Sequence, residues 1–394
     1  KDLFVKGCDV PDMQFKEQGY LFLASPEYED TLRKNNATQE NCGVDWMSLL
    51  TPNELSKRFP WLKTDGVALG SMSEKSEGWF DPWALLSNLN MKSKSMGVTF
   101  IQGEVSSFIC EKDEGEDTCN KTTNRLEGYK LASKRKINKV ILKKTITGSG
   151  GKFETCSDVL DNNMNNNDII ELGAGIVVNA AGPFAQKIAS ACGEDVMKVP
   201  VEARKRSIFH VHCNEGLNAG GANDEGKGNT MVVPGYKTTP LVVCPESGAY
   251  FRPEGGNNYF ICGVSPYLEE HVDENCHSYQ DLDCSADNQL YENVIWPSLY
   301  DRCEALGNLK VKSSWVGFYE YNTLDQNAII GYHPEVTNLM LCNGFSGHGL
   351  QQSMGSGRAV AEIIKYKEST SVDIDCFSFD RIVKNEPLYE QNIV

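Results

Sequence analysis

Apolar residues near position 85 recur at helical spacing, which predicts a helix with one apolar face. That face is formed by Trp83, Leu85, Leu86 and Leu89. Asp81-Pro82 precedes it with a capping carboxylate and a proline at the first helical position, and Gly97 is typical of a helix end. The apolar run 98–101 then predicts a strand that ends near Gly103.

Two later segments follow the order of strand, small-residue turn and helix. The apolar run 176–178 predicts a buried parallel strand, and residues 179–183 turn it into a helix from about Phe184 to Cys192. The run 339–341 predicts a second strand, which a glycine-rich turn connects to a helix ending near Ile364. This order is typical of half of a nucleotide-binding layer.

Residues 200–320 have a different pattern. Runs such as 207–212 and 258–262 alternate or are rich in β-forming residues, and Gly, Pro and Asn turns separate them. They predict a large antiparallel or mixed sheet that faces the substrate. The predicted fold class is therefore α/β (α+β), with a Rossmann-like nucleotide-binding domain interleaved with a sheet domain.

A chain of 394 residues is long enough for two domains. Residues 113–168 are acidic, then basic, then rich in Gly and Asn, which predicts a low-complexity insert ordered at most around one hairpin. The polar stretch 214–229 predicts a loop. The predicted division is 78–112, 169–195 and 322–366 for the nucleotide-binding domain, 12–77 and 196–321 for the substrate domain, 113–168 for the insert and 367–394 for a C-terminal tail.

The formal charge of -16 argues against broad nucleic-acid binding, which needs surplus Lys and Arg. The basic run 134–144 is a local exception. Because apolar residues such as Ile137 and Val140 interrupt it, a solvated edge strand is a better interpretation than a localisation or nucleic-acid patch. No apolar run approaches the ~18 residues that cross a bilayer.

The fourteen cysteines are scattered from Cys8 to Cys376 without a C-x-x-C pair, and the six histidines are not spaced as ligand partners. His210 and His212 share one face of a predicted strand, but two such residues without a third are more typical of structural roles. The sequence therefore predicts no metal site, and reduced thiols in an intracellular compartment.

The most informative segment is 343–350, Asn-Gly-Phe-Ser-Gly-His-Gly-Leu. Its three glycines let backbone approach a flat ligand, and the following helix points its positive end back at that ligand. Ser346 or His348 can serve the start of the helix. A reduced flavin carries negative charge on its ring edge and suits such a turn, but on spacing alone a purely structural turn is about equally probable.

Three other glycine clusters lack the context of a dinucleotide or phosphate site. Residues 173–175 precede their strand, residues 355–357 lie inside a helix, and residues 148–152 lack the phosphate-loop spacing. No G-x-G-x-x-G therefore follows a first strand in this sequence.

Residues 344–349 resemble the C-terminal flavin motif of the D-amino-acid oxidase and sarcosine oxidase superfamily. Residues 178–182 resemble its second FAD motif, and residues 78–82 with 97–98 and Val105 resemble its middle segment. The similarity covers about residues 12–394 without the inserts. Further segments resemble one narrower group within the superfamily, namely 19–25, 59–61, 200–206, 247–252 and 321–327.

The resemblance implies an FAD-dependent oxidoreductase with a Rossmann-like FAD-binding domain. Family members begin with a strand, a G-x-G-x-x-G turn and a helix that bind the FAD pyrophosphate. We expect that βαβ segment to be missing ahead of Lys1, because the sequence is a fragment or comes from a truncated gene model. The alternative is a chain that has lost FAD. The residues implied to contact FAD are Val105, Ala180, Ala181, Gly182, Gly344, Phe345, Ser346, Gly347, His348, Gly349 and Leu350.

Four residues are implied to act on the substrate. Tyr250 corresponds to the family tyrosine near the substrate, and Arg252 shares its face if the segment is a strand, although an ordinary surface arginine is nearly as probable. Gln351 stands where sarcosine oxidases have a lysine that binds the substrate carboxylate, so binding of a carboxylate at this position is weakened. His348 either tunes the flavin or caps the helix.

Two further positions bear on the type of flavin chemistry. Phe318 stands where sarcosine oxidase has the cysteine that links to its flavin, which implies non-covalent FAD. Ile261 stands where those oxidases place the lysine that activates oxygen by stabilising the developing negative charge. The resemblance therefore implies hydride removal from a C–N bond, with electrons passed to a protein or quinone.

Two functions of different classes remain open from the sequence. One is a dehydrogenase of a small amine or an N-methyl or secondary amino acid. The other is a non-catalytic assembly factor on a flavoprotein fold. The narrower group that the chain resembles implies a mitochondrial location and partners among the assembly intermediates of respiratory complex I.

Overall fold

The computed structural model describes residues 11–113, 133–143, 169–213, 217–218, 232–265, 275–276 and 285–390. Most of the predicted loop 214–229 and most of the predicted insert 113–168 lie outside these residues. The strands are β1 (Tyr20–Ala24), β2 (Met47–Leu50), β3 (Leu69–Ser73), β4 (Glu104–Lys112), β5 (Arg135–Lys143), β6 (Ile169–Gly173), β7 (Val177–Asn179), β8 (Val201–Cys213), β9 (Leu217–Asn218), β10 (Val232–Val233), β11 (Leu241–Val243), β12 (Tyr250–Pro253), β13 (Tyr259–Gly263), β14 (Asn275–Cys276), β15 (Leu309–Asn322), β16 (Ile329–Tyr332) and β17 (Leu339–Asn343). The α-helices are α1 (Glu29–Asn41), α2 (Pro52–Arg58), α3 (Pro82–Ser95), α4 (Ala185–Ser190), α5 (Asn288–Leu290), α6 (Trp296–Arg302), α7 (Gly349–Tyr366) and α8 (Asp380–Lys384).

The largest sheet has the strand order β14-β8-β13-β12-β11-β1-β3-β2, and β15 also pairs with β8. β8 and β15 run antiparallel from Val201 opposite Asn322 to Cys213 opposite Leu309. β1 and β11 are parallel, so the sheet is mixed. The prediction of a large antiparallel or mixed sheet in this part of the chain is confirmed.

The two faces of this sheet differ because side chains alternate along each strand. One face is an apolar core that packs against α2 and α6, and it includes Phe209, Val211, Phe251, Phe260 and Cys262. The opposite face carries Arg206, Ile208 and His210 of β8, together with Tyr250 and Arg252 of β12. This polar and aromatic face is the one that concerns function.

A second, three-stranded sheet has the order β16-β17-β7, with β7 and β17 parallel. The strands predicted at 176–178 and 339–341 are both present. The first was expected to be buried, but Ile176 and Val178 are 37% and 42% exposed. β7 is an edge strand among the described strands, so its side chains are less covered than those of the central strand β17.

A third sheet has the order β4-β5-β6. The expected strand at 98–101 is wrong: these residues are irregular, and the strand starts at Glu104. The basic run 134–144 does form a strand, but β5 is the central strand of its sheet and not an edge. Its Ile137 is 0% exposed, and the Asn338 side chain hydrogen-bonds both backbone groups of Ile137 at 2.8 Å.

The predicted helix start at Asp81-Pro82 is confirmed, since the Asp81 carboxylate accepts hydrogen bonds from the N–H groups of Trp83 and Ala84. The apolar face of α3 remains largely exposed, with Trp83 at 58% and Leu86 at 46%. Within the part of the chain that the structure describes, no helix is both long and apolar enough to cross a membrane.

The segment after α7 is anchored to the body of the protein. It contains α8, and Phe379 packs in the core beside β17 with 1% of its surface exposed. Arg381 donates two hydrogen bonds to the buried Asp325 carboxylate, at 2.6 and 3.1 Å. This pair ties the C-terminal region to the turn between β15 and β16.

Candidate functional site

The glycine-rich loop between β17 and α7 has a backbone that few other residues could adopt. Gly344 and Gly347 have φ angles of 75° and 94°, in the left-handed region. A Cβ on Gly344 would lie 3.0 Å from the Val201 side chain, and one on Gly347 would lie 2.3 Å from the Tyr319 hydroxyl. Both glycines are therefore required by conformation and by close packing.

Neither residue proposed to serve the start of α7 caps it with its side chain. His348 occupies the cap position, but its side chain forms no capping hydrogen bond. The Ser346 hydroxyl instead accepts the N–H of Asn322 at 3.0 Å, which fastens the loop to the end of β15. The N-terminus of this 18-residue helix thus has no side-chain cap, and its positive end remains available to a ligand.

Glu320 of β15 lies between the two FAD-like motifs, and no sequence pattern indicated it. Its carboxylate accepts the N–H of Gly344 at 3.0 Å, and a Cβ on Gly182 would lie 3.9 Å from the same oxygen. Burial raises the pKa of the Glu320 carboxyl above its ordinary value, while hydrogen bonds from the N–H groups of Gly344 and Phe345 oppose that shift. Glu320 therefore holds the loop at the 344 end close to the turn at 182.

The turn that contains Ala180, Ala181 and Gly182 is shaped by Asn179. The Asn179 side chain accepts the N–H of Ala181 at 3.1 Å and donates to the carbonyl of Ala185 at 2.9 Å. Gly182 has a φ of 55°, which again favours glycine. The strands that lead into this turn and into the glycine loop, β7 and β17, pair in parallel, with Asn179 opposite Leu341. Contact of both segments with FAD stays a prediction.

Val105, the remaining expected FAD contact, lies at the start of β4. The adjacent Glu104 forms an ion pair with Lys187 of α4 at 3.1 Å. The pair brings the start of β4 next to the helix that follows the second motif. Its contact with FAD stays a prediction.

Tyr250 and Arg252 share one face of the large sheet, as their alternation predicted. Gly263 lies directly opposite Tyr250, and a Cβ there would be 2.6 Å from the Tyr250 hydroxyl. The missing side chain lets this phenol extend across β13 toward β8. Burial raises the pKa of Tyr250 to about 12, with the Cys262 thiol and Tyr319 adding to the shift and Arg206 and Arg252 opposing it.

Arg252 already has partners on this face. It forms a short ion pair with Glu254, and its guanidinium lies 5.0 Å from the ring centre of Trp79. Ile261 is directly opposite Arg252. The position that lacks the oxygen-activating lysine therefore has a cation beside it, although that cation is paired with a carboxylate.

Arg206 and Tyr319 connect this face to the glycine loop. The Arg206 guanidinium lies 4.7 Å from the centre of the Tyr319 ring. The Tyr319 hydroxyl donates a short hydrogen bond to the carbonyl of Ser346, and its ring blocks any side chain at Gly347. Alternation relates Arg206 only to other residues of β8. Its place on the face of Tyr250 depends on the pairing of β8, β13 and β12, and its neighbour Tyr319 depends on the pairing of β8 with β15.

Two expected residues lie away from this face. Phe318 alternates with Tyr319 along β15, so its side chain points to the opposite side of the sheet, and Gly317 shares the face of Tyr319 instead. The correspondence of Phe318 to the flavin-linking cysteine stays a prediction. Gln351 lies exposed on α7, and Leu350 is also exposed.

The residues present fit the ring end of a flavin. The loop offers backbone without Cβ atoms at two positions, and the uncapped helix suits an electron-rich ring edge. The Asn343 side chain, fully buried at the base of the loop, has no hydrogen-bond partner among the described residues for either amide atom. Two orphaned polar atoms at this place are what a missing polar ligand would leave.

The described residues contain no cluster of three or more His, Cys, Asp or Glu side chains that could hold a metal ion. His210 and His212 both contact Tyr259, with ring centres 5.3 and 4.3 Å apart. Their place in an aromatic cluster accords with the structural interpretation of this pair.

The family described as FAD dependent oxidoreductase matches residues 8–363. The chain belongs to this family. It is 37% identical to FAD-dependent oxidoreductase domain-containing protein 1 of Xenopus laevis, over 98% of this chain and 68% of the relative. The corresponding homolog of Drosophila melanogaster is 32% identical over 98% of this chain and 66% of the relative.

Solved structures agree with the fold. L-proline dehydrogenase from P. horikoshii superimposes with a TM-score of 0.66 at 21% identity, over 95% of this chain and 79% of that structure. Glycine oxidase from Geobacillus kaustophilus gives a TM-score of 0.61 at 17% identity, over 93% of this chain and 75% of that structure. The predicted family and fold class are thus confirmed, and FAD is the family's cofactor.

Proposed function

We propose that this protein is a dehydrogenase that oxidises a C–N bond of a small N-methyl or secondary amino acid. The observation that carries the proposal is the continuity of the site. The face with Tyr250 and Arg252 reaches the glycine loop through Arg206 and Tyr319. A substrate on this face therefore lies beside the loop that the flavin motif forms.

The chain's own residues have separable tasks in this proposal. Residues 180–182 and 344–350 would hold FAD, which when bound supplies a two-electron acceptor for hydride. Tyr250 and the arginines on this face would bind and orient the substrate. The Tyr250 hydroxyl stays protonated at neutral pH, because burial raises its pKa to about 12. The aromatic rings of Tyr319 and Trp79 would exclude water from the guanidinium groups.

We also propose a protein or quinone as the electron acceptor in place of oxygen. Ile261 carries no charge, and the nearby Arg252 is neutralised by Glu254. Without a lysine at position 261, that position gives no stabilisation to the charge that develops on oxygen.

The test uses full-length protein loaded with FAD under anaerobic conditions. A panel of N-methyl and secondary amino acids is added, and bleaching of the flavin absorbance is followed. At least one member should bleach the flavin, and Tyr250→Phe should slow the bleaching while leaving FAD content unchanged. No bleaching by any amino acid or amine would refute a catalytic role.

A non-catalytic assembly factor is the second candidate. The observation that favours it is the exposed apolar surface of α3, with Trp83, Leu86 and Met91 uncovered. The proposed setting is the mitochondrion, with assembly intermediates of respiratory complex I as partners, and it rests on resemblance alone.

Cells that lack the protein can separate the two candidates. Fractionation reports the location of a reintroduced full-length copy, and native gels report assembled complex I. Restoration by wild type but not by Tyr250→Phe would support catalysis. Restoration by both, with failure of Trp83→Glu, would support the assembly factor.

A further inference from the structure

Two cysteines meet where the sheet β4-β5-β6 packs against the helix that follows the second FAD-like motif. Cys110 lies on β4, and Cys192 follows the end of α4. Cys192 is 6% exposed and belongs to a core cluster that includes Ile137, and Cys110 packs against the same cluster. A side-chain hydrogen bond joins the two thiols. The fold therefore brings into contact two thiols that are far apart in the sequence.

Strand register fixes Cys110 on this side of its sheet. Cys110 is directly opposite Ile137 of β5, whose side chain is fully buried in the cluster that contains Cys192. Residues directly opposite each other in an antiparallel pair share a face. At the other end of β4, the ion pair between Glu104 and Lys187 holds the strand against α4. Both thiols are thus carried by elements whose relative position is fixed by other contacts.

Arg135 places a guanidinium beside the pair of thiols. Its Nη1 donates to the carbonyl of Cys192 at 3.0 Å, and it also pairs with the exposed carboxylate of Asp195. Burial raises the pKa of Cys192 to about 12, with Cys110 adding to the rise and Arg135 opposing it. Burial also raises the pKa of Cys110, again against the effect of Arg135. Both groups therefore stay protonated thiols at neutral pH until an oxidant reaches them.

The other described cysteines do not combine a thiol contact with access to solvent. Four of them lie in the core beneath the large sheet and are at most 3% exposed, namely Cys213, Cys244, Cys262 and Cys303. Cys42 and Cys376 are exposed, but neither forms a hydrogen bond to another thiol among the described residues. Cys110 differs from both groups because it is partly exposed and touches a second thiol.

We propose that Cys110 and Cys192 form a dithiol modification site for small disulfides such as oxidised glutathione, which react at Cys110 and leave a disulfide between the two cysteines. The proposal is independent of the proposed function. The closed bond ties β4 to the helix that follows residues 180–182. Modification therefore acts on the part of the fold that carries the second FAD-like motif.

The reaction balances as two successive thiol–disulfide exchanges. The Cys110 thiol gives its proton to solvent and attacks one sulfur of oxidised glutathione, whose S–S bond breaks to release one glutathione thiolate that takes up a proton. Cys192 then loses its proton and attacks the Cys110 sulfur of the mixed disulfide, which releases the second glutathione. Two protein thiols are oxidised to one disulfide, and one glutathione disulfide is reduced to two thiols. Cys110 reacts first because it is partly exposed, whereas Cys192 is buried.

The first experiment equilibrates full-length protein, without oxygen, in buffers with stepped ratios of reduced to oxidised glutathione. Alkylation and peptide mass spectrometry then report the state of each thiol. The peptide that links Cys110 to Cys192 should rise from about 10% to about 90% over an approximately 80-fold change in the squared concentration of reduced glutathione divided by that of the oxidised form, as a two-electron couple requires.

Single variants test the order of the two exchanges. Cys192→Ser should leave Cys110 carrying one glutathione, because no second thiol displaces it. Cys110→Ser should leave the buried Cys192 unmodified. Cys42→Ser, which removes an exposed thiol, is the control and should not change the cross-linked fraction. If Cys192→Ser does not fold, Cys192→Ala takes its place.

The second experiment compares the melting temperatures of the reduced and oxidised proteins. The bond encloses most of the insert 113–168, so it should raise the melting temperature by about 5 °C by restricting the unfolded chain. Dithiothreitol should reverse the rise. In Cys110→Ser, the same oxidation should leave the melting temperature unchanged.

Three results would overturn the proposal. The first is absence of the cross-linked peptide in samples in which oxidised glutathione has modified the exposed Cys42. The second is a cross-link that forms only after the protein is unfolded in urea, because the thiols would then not meet in the native fold. The third is a cross-link that lowers the melting temperature, because the native positions would then not accommodate the geometry of a disulfide.

Discussion

Arg381→Gln should destabilise the protein strongly, because it leaves a buried carboxylate without its counter-ion. The Arg381 and Asp325 side chains are 7% and 0% exposed, and two hydrogen bonds of 2.6 and 3.1 Å join them. Arg381 also donates to the carbonyls of Asn327 and Ala328 at 3.0 and 2.9 Å. Breaking a buried pair on one side costs about 3–5 kcal/mol, so the free energy of unfolding should fall by about that amount.

Denaturant unfolding of wild type and variants measures this loss, with the exposed pair Arg33–Glu29 as the matched control. Arg33 and Glu29 are four residues apart on α1, and their side chains are 51% and 36% exposed. Arg33→Gln should therefore lower the free energy of unfolding by less than about 0.5 kcal/mol. The double variant Arg381→Met with Asp325→Leu should recover much of the loss, because no unpaired charge remains. An Arg381→Gln variant as stable as Arg33→Gln would refute the reasoning.

The same pair predicts a pH dependence. Burial would raise the pKa of the Asp325 carboxyl, but hydrogen bonds from Arg381, Leu388 and Asn327 outweigh burial and hold the pKa below its ordinary value. The resulting stability is present above the ordinary carboxyl pKa and is lost as the pH falls through the lowered folded value. The difference between wild type and Asp325→Asn should therefore shrink in acid, and a difference that grows in acid would contradict the sign.

Gly347→Ala should lower the melting temperature, because the new Cβ would stand 2.3 Å from the Tyr319 hydroxyl at a φ of 94°; an unchanged value would contradict this close approach. The 394-residue chain expressed alone should contain far less than one FAD per chain by absorbance, because its sequence has no G-x-G-x-x-G turn for the pyrophosphate; a stoichiometric yellow protein would refute this. In full-length protein acid should release FAD, since neither Gly317 nor Phe318 offers a nucleophile, and flavin that precipitates with the protein would disprove it. Reduced flavin should reoxidise slowly in stopped-flow measurements in air-saturated buffer. Ile261→Lys should accelerate the reoxidation by placing an ammonium near the flavin, provided the amine stays protonated. Rapid reoxidation of the unmodified protein would count against the dehydrogenase.

Features that act over a few residues could be predicted from the sequence. The Asp81 cap, the apolar strand before Gly344 and the helix after it all appear where the pattern placed them. Caps, glycine conformations and side-chain alternation depend on neighbours along the chain, so one sequence contains the information. The shared face of Tyr250 and Arg252 follows from the same alternation.

Features that depend on a partner elsewhere in the chain could not be predicted. The apolar run 98–101 resembles a strand but pairs with no strand among the described residues, whereas the basic run at β5 lies between two strands and buries Ile137. Hydrogen-bonded pairing, and not local composition, decided both cases. The C-terminal region was predicted as a tail because nothing near Arg381 in sequence indicates that Asp325 would receive it.

The site shows the same division. The sequence by itself determined the glycine loop, its helix and the shared strand face of Tyr250 and Arg252. Only the tertiary structure decided that Glu320 joins the two FAD-like motifs and that Tyr319 places Arg206 between Tyr250 and the loop. These contacts arise from the register of β15 against β8 and from the path of the loop around that strand. Register is set by the packing of whole strands, so no local pattern reveals it.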